Sequence, residues 1–163
     1  MFLEKIISGG QTGADQGALK IALRLNYKTG GITPKNFMTE NGPNFLLRDK
    51  YHLVDGGGDY ISRSKLNIDH SDGTLAFRFK SSPGTDKSIS YCQTKKWKNW
   101  NGSFETKYKP ICIIQNIEKQ NSERIFSFLN KNKIKTLNVI GHRESSYKGI
   151  EEIVCNIIFD SLI

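Results

Sequence analysis

The chain has 163 residues and a formal charge of +8, from 24 Lys and Arg against 16 Asp and Glu, with a pI of about 9.4. A domain of roughly 150 residues buries about 70% of its unfolded surface, so one domain spanning 1–163 is expected to form a core without disulfide or metal staples. No apolar run reaches the roughly 18 residues of a membrane span, the N-terminus lacks signal-peptide features, and Cys92, Cys112 and Cys155 show no C-x-x-C spacing, so a cytoplasmic protein with reduced thiols, no metal and no membrane partner is expected.

Phe2 to Ser8 is a short apolar run suited to a buried strand, and Thr12 to Leu25 places Ala14, Ala18, Ile21, Ala22 and Leu25 at helical spacing. Gly30 to Asp55 reads as loop with a short strand near Tyr51 to Val54, and Gly56-Gly57-Gly58 ends it. Tyr60 to Asp69 is a helix, Gly73 to Phe79 a strand, and Thr85 to Lys95 a second helix candidate. Lys96 to Lys107 is polar and aromatic, an exposed loop or hairpin before the strand Pro110 to Gln115.

Ser122 to Asn132 then carries Ile125, Phe126 and Leu129 on one helix face, and Lys135 to Ile140 is a strand. Ile150, Ile153, Val154, Ile157, Ile158 and Leu162 define a C-terminal helix whose apolar stripe packs on the sheet or on a partner subunit. Strands alternating with helices predict an α/β, Rossmann-like three-layer fold: a mostly parallel central sheet with helices on both faces. Ligands of such sheets bind beyond the carboxyl ends of the strands.

Three turns lie there. Gly9-Gly10-Gln11-Thr12-Gly13 follows the first strand, and its glycines and free N–H groups at a helix start suit an anion, with Asp15 in the first helical turn. It is neither G-x-G-x-x-G nor a P-loop, and a tight turn capped by Thr12 or Gln11 is the structural alternative. Ser81-Ser82-Pro83-Gly84-Thr85-Asp86-Lys87-Ser88 starts a helix after the third strand and again suits an anion, with Lys87 as a point charge, an ordinary Ser/Thr-capped helix start being the alternative. Gly141-His142-Arg143-Glu144-Ser145 adds a guanidinium fork and a histidine able to exchange protons, unless Arg143 only pairs with Glu144 or Asp15. Together they point to a nucleotide or similarly phosphorylated ligand.

The stretches Gly9-Gly10-Gln11-Thr12-Gly13-Ala14-Asp15, Ser71-Asp72-Gly73-Thr74-Leu75, and Arg143-Glu144-Ser145 with Gly149-Ile150, together with Tyr60 and Arg63, resemble the molybdenum cofactor carrier family, in the family's order across nearly the whole chain. That family is a Rossmann-like relative of the lysine-decarboxylase-like (LOG) proteins, which bind nucleotides and include phosphoribohydrolases. The resemblance implies a homo-oligomer, dimer or tetramer, and an anionic-ligand pocket for a pterin or a nucleotide phosphate. The LOG signature Pro-Gly-Gly-x-Gly-Thr-x-x-Glu supplies a glutamate for glycosidic cleavage, whereas Ser88 stands three residues after Thr85 here.

The reading is therefore a binding protein for a phosphorylated small molecule: a nucleotide, a nucleotide-derived signal or the molybdenum cofactor (pterin). No resident cofactor and no catalytic residue are assigned. Backbone donors at Gly9 to Gly13 and at Gly84-Thr85 would hold phosphate, Arg143 would counter its charge, Thr12 and Ser145 would add hydroxyl bonds, Asp15 or Asp72 would contact ring or ribose groups, and Arg63 would close one side. The alternative is a LOG-like enzyme cleaving a glycosidic or phosphate bond, with Asp15, Glu40, Asp72, Glu144 or His142 as acid or base. Nucleic-acid binding through Lys95 to Lys98, Trp97 and Trp100 is the least favoured.

Overall fold

A computed structural model describes residues 1–94, 96–98, 101–106 and 109–163, with 96–98 and 104–106 described by backbone alone. The chain begins with β1 (Lys5–Ile7), α1 (Ala14–Arg24) and β2 (Lys28–Gly30). An excursion follows, made of β3 (Ile32–Thr33), β4 (Met38–Thr39), β5 (Gly42–Pro43), α2 (Leu46–Asp49) and β6 (Val54–Asp55). Then come α3 (Tyr60–Asp69), β7 (Gly73–Phe77), α4 (Pro83–Thr94), β8 (Lys96–Lys98), β9 (Phe104–Thr106), β10 (Ile111–Ile114), α5 (Gln120–Lys131), β11 (Thr136–Gly141) and α6 (Ile150–Leu162).

Five strands form one parallel sheet in the order β10-β7-β11-β1-β2. β11, late in the chain, lies at the centre, with Val139 opposite Leu75 of β7 and Leu137 opposite Ile6 of β1. Counted from β11 as the first strand, the order becomes the 3-2-1-4-5 arrangement of doubly wound folds. The strand-helix unit that opens such a sheet is thus supplied by β11 and α6.

Side chains alternate across the strands, as the two-residue period requires. Leu75, Phe77, Leu137, Val139, Cys112 and Ile114 face one core with Ala18 and Ile21 of α1, Ile125 and Leu129 of α5, and Ile150, Val154, Ile157 and Ile158 of α6. The predicted C-terminal stripe therefore packs inside the protomer, on the sheet and on α1. A Cβ on Gly17 would lie 2.6 Å from the Glu151 carbonyl, so α1 and α6 touch through backbone there. The intervening strand positions, Thr74, Ala76, Asn138 and Ile140, are buried on the other face, where Asn138 Nδ2 donates to Thr74 Oγ1 at 3.2 Å.

A smaller cluster of Leu19, Phe37, Leu47, Tyr51 and Leu53 anchors the excursion to α1. Lys96 to Lys107, expected as a loop or hairpin, contains the antiparallel pair β8-β9, while residues 95, 99, 100, 107 and 108 and the side chains proposed for nucleic-acid contact lie outside the described residues. Among the described residues no helix is long and apolar enough to cross a membrane.

Candidate functional site

A cleft of about 290 Å³ opens beyond the carboxyl ends of β7 and β11, with α3 forming the opposite wall. That is where the strand order reverses, the position where open α/β sheets bind ligands. Gln11 and Asp15 reach it from the β1-α1 turn, Tyr60, Arg63, Ser64 and Lys65 from α3, Ser82 to Thr85 and Lys87 from the start of α4, and Gly141 to Arg143 from the end of β11.

The β1-α1 turn is shaped by contact with protein atoms. Gly13 has φ 79°, and a Cβ on it would sit 2.4 Å from the His142 carbonyl, so this position joins a left-handed backbone to a close crossing of the loop after β11. At Gly9 a Cβ would lie 1.4 Å from Arg63 Nη1, so the guanidinium rests directly on the backbone. Gly10 packs against Leu47 and Leu53. Gly9, Gly10, Thr12 and Gly13 thus stand behind the rim, and Gln11 and Asp15 face the cleft.

Asp15 and Arg63 form a buried pair, with Oδ2 accepting from Arg63 Nη1 and from the Gln11 N–H, both at 3.1 Å. Burial pushes the Asp15 carboxyl above its ordinary range, although the Arg63 charge and the Gln11 N–H pull the other way. Arg63 is 8% exposed, and its Nε has no protein partner among the described residues. Gln11 is 6% exposed, and its Nε2 is also without a partner. Buried donors are normally satisfied, so these two stand out among the described residues of the cleft wall.

α4 starts at Pro83, whose missing N–H is no loss at a first helical position. Ser82 Oγ donates to Thr85 Oγ1 at 3.1 Å, and nothing lies within 4 Å of where a Gly84 Cβ would be, so the backbone there is open to the cleft. Lys87 lines the same wall, while Asp86 is turned away into an ion pair with Arg78. Lys65, Arg63, Lys87 and Arg143 give the cleft four cationic side chains against one carboxylate, Asp15, already paired. Tyr60 carries the Arg63 and Arg143 guanidiniums over its ring, each 5.8 Å from the centroid.

The loop after β11 divides its residues between cleft and scaffold. His142 is 2% exposed and stacks on Tyr147, and its Nε2 accepts from Phe79 N at 2.9 Å. Burial, with the Lys80 and Arg78 charges, pushes its pKa down and keeps the ring neutral. Glu144 accepts from the N–H groups of Gly149 and Glu151 and so caps α6. Ser145 hydrogen bonds Glu40 through both its N–H and its hydroxyl.

Glu40, at the tip of the β4-β5 hairpin, also accepts from Thr12 Oγ1 and stands 4.0 Å from Arg143 Nε. Burial works to raise its pKa, but hydrogen bonds from Ser145 and Thr12 and the Arg143 charge outweigh it and hold the carboxyl low. Sequence reasoning named Glu40 only as an acid or base for the enzymatic alternative; no local motif marks it. Tyr60 and Ser64 were missed as lining residues, although they share a face of α3 with Arg63 at helical spacing. Asp72 is not brought to the cleft: it precedes β7 and accepts from the N–H groups of Lys135 and Thr136 at 3.0 and 2.8 Å, at the opposite end of the sheet.

A parallel sheet whose first unit comes last, with a cationic cleft at its reversal point, defines a permuted Rossmann-like fold. Residues 6–162 match the model of the circularly permuted YpsA SLOG family, and the chain belongs to that family. A crystal structure of a provisionally named molybdenum carrier protein from Syntrophus aciditrophicus SB is similar, with TM-score 0.83 and 26% identity over 99% of this chain and 96% of that one. No curated protein matches. The resemblance read from the sequence thus holds at the level of family and fold.

Proposed function

We propose that the protein binds a phosphorylated small molecule in the cleft between β7 and β11, a nucleotide, a nucleotide-derived signal or a pterin cofactor. The observation that carries this reading is the pair of buried donors without a partner among the described residues, Gln11 Nε2 and Arg63 Nε, on a wall shared with Lys65, Lys87 and Arg143. An acceptor-rich anion would satisfy both donors and the excess charge, and the open backbone at Gly84 would take a phosphate oxygen at the α4 N-terminus. Tyr60 and Tyr91 line the same cleft, their rings carrying Arg63, Arg143 and Lys65. The name of the Syntrophus relative supports keeping the molybdenum cofactor among the ligands.

Binding is favoured over bond cleavage by the state of the carboxylates. Asp15 is paired with Arg63, Glu40 is held by Thr12 and Ser145, and Glu144 caps α6. Each is engaged in holding the protein together. Titration calorimetry with AMP, GMP and inorganic pyrophosphate against adenosine and guanosine tests the proposal. Binding of the phosphorylated compounds and not of the nucleosides is expected; equal or absent binding of both sets refutes it, and base release from a nucleotide would replace it with the enzymatic reading. Native mass spectrometry of the purified protein reports any co-purified ligand and the assembly mass, for which the resemblance implies a dimer or tetramer.

A further inference from the structure

We infer that Glu40 is a positioning residue for the cleft, acting through Gln11: it fixes the orientation in which the Gln11 amide presents its N–H groups to a ligand. The inference rests on the ligand-binding reading above and concerns a residue outside the cleft wall.

The Gln11 Oε1 atom accepts two backbone N–H groups, from Thr12 at 3.0 Å and from Glu40 at 2.9 Å. Both partners can only donate, so the oxygen must face them and the Nε2 donors face the other way, buried and with no partner among the described residues, in a side chain that lines the cleft. One of these two anchors, the Glu40 N–H, sits on a hairpin whose ladder is only two residue pairs long, Met38 with Pro43 and Thr39 with Gly42. A two-stranded ladder of that length has little stability of its own.

The Glu40 carboxylate supplies what the ladder lacks. Oε1 accepts from Thr12 Oγ1 and, at 3.2 Å, from Ser145 N, while Oε2 accepts from Ser145 Oγ. Thr12 Oγ1 in turn accepts from Glu144 N at 3.2 Å. Three segments, the turn after β1, the hairpin tip and the loop after β11, therefore meet on one carboxylate. Charge-assisted hydrogen bonds are about twice as strong as neutral ones, so this knot holds the Glu40 backbone under Gln11. Glu40→Ala removes all three side-chain bonds and frees the hairpin; the Gln11 amide then keeps only its Thr12 anchor and rotates among several orientations.

A double-mutant cycle tests the link. With GMP and inorganic pyrophosphate as probes, Glu40→Ala and Gln11→Ala are each expected to weaken binding about tenfold, as loss of one neutral donor to a charged acceptor does. The double variant is expected to bind no more weakly than the Gln11→Ala protein, because with the Gln11 amide gone the remaining contact of Glu40 with the cleft is Arg143 at 4.0 Å, whose release does not weaken binding of an anion. Glu40→Gln, which keeps an acceptor for Thr12 Oγ1 and Ser145 N, recovers part of the loss. A full additional tenfold loss from Glu40→Ala in the Gln11→Ala background overturns the inference.

Side-chain amide NMR gives a readout that needs no ligand. The wild type is expected to show one sharp Gln11 NH2 pair, identified by its loss in Gln11→Ala, and Glu40→Ala is expected to broaden or multiply it. An unchanged pair in a folded Glu40→Ala protein also overturns the inference. Failure of the wild type to bind either probe refutes the ligand reading, and the NMR comparison still decides the role of Glu40.

Discussion

A single methyl group at Gly9 is expected to unfold or strongly destabilise the protein by evicting Arg63. In Gly9→Ala the new carbon would lie 1.4 Å from Arg63 Nη1, where ordinary contact needs 3.4 Å or more. Backbone strain is not the cause, since Gly9 is absent from the positive-φ positions. The guanidinium has to retreat and its 3.1 Å bond to Asp15 breaks, although the Arg63 and Asp15 side chains are only 9% and 5% exposed.

Removing one partner of a buried pair costs about 3–5 kcal/mol, a large share of the roughly 5–15 kcal/mol available to a domain. Urea denaturation monitored by tryptophan fluorescence measures it. The pH dependence identifies the cause: without Arg63 nearby the Asp15 carboxyl, already raised by burial, rises further, so the deficit is greatest at high pH and shrinks as the pH falls through the raised Asp15 pKa. Gly84→Ala, with no atom within 4 Å, serves as the control and changes stability little. A Gly9→Ala protein less than about 1 kcal/mol weaker than wild type, or one whose deficit is independent of pH, would refute the placement of Arg63 on Gly9.

Three further outcomes are expected. Glu144→Ala removes the cap on the Gly149 and Glu151 N–H groups and lowers stability by about 1 kcal/mol in the same denaturation assay, with GMP affinity within twofold of wild type. Because the His142 pKa is depressed in the fold, the wild type loses stability as pH falls below about 6.5, where the unfolded ring takes up a proton; His142→Gln flattens that part of the stability-pH curve. Asp72→Ala frees two N–H groups at the start of β11 and lowers the melting temperature, while calorimetry finds pyrophosphate affinity unchanged because the residue lies at the far end of the sheet.

The parts of the fold legible in the sequence are those where the pattern is local. Ile6 and Ile7 read as strand and Ala14, Ala18, Ile21 and Ala22 as helix because each set is buried on one continuous element. The α6 stripe was legible as apolar, but whether it met the sheet or a second copy depended on Gly17 leaving room for the Glu151 backbone. Strand order was out of reach: nothing local in Thr136 to Gly141 says that it lies between β7 and β1.

The lining of the cleft was legible where turns follow strands, which brought out Gln11, Asp15, Gly84, Lys87 and Arg143 as residues of its wall. It failed where long-range contacts redistribute roles. Glu144 and Asp72 look like ligand carboxylates in isolation and are occupied by backbone amides in three dimensions. Glu40 lies in a loop-rich stretch whose only distinction is what it touches, Thr12 and Ser145, far away along the chain.

The central position of β11 carries a temporal consequence. Lys5 of β1 has Thr136 as its neighbour, so the middle of the sheet cannot close until nearly the whole domain has left the ribosome. Chains emerge at about 5–20 residues per second, and pairings distant in sequence form slowly. During that interval β1 and β7 wait with open edges, and Arg143 has not reached the cleft. A nascent chain therefore completes its cleft in one late step, and any ligand that favoured the closed sheet would act on maturation as well as on the finished protein.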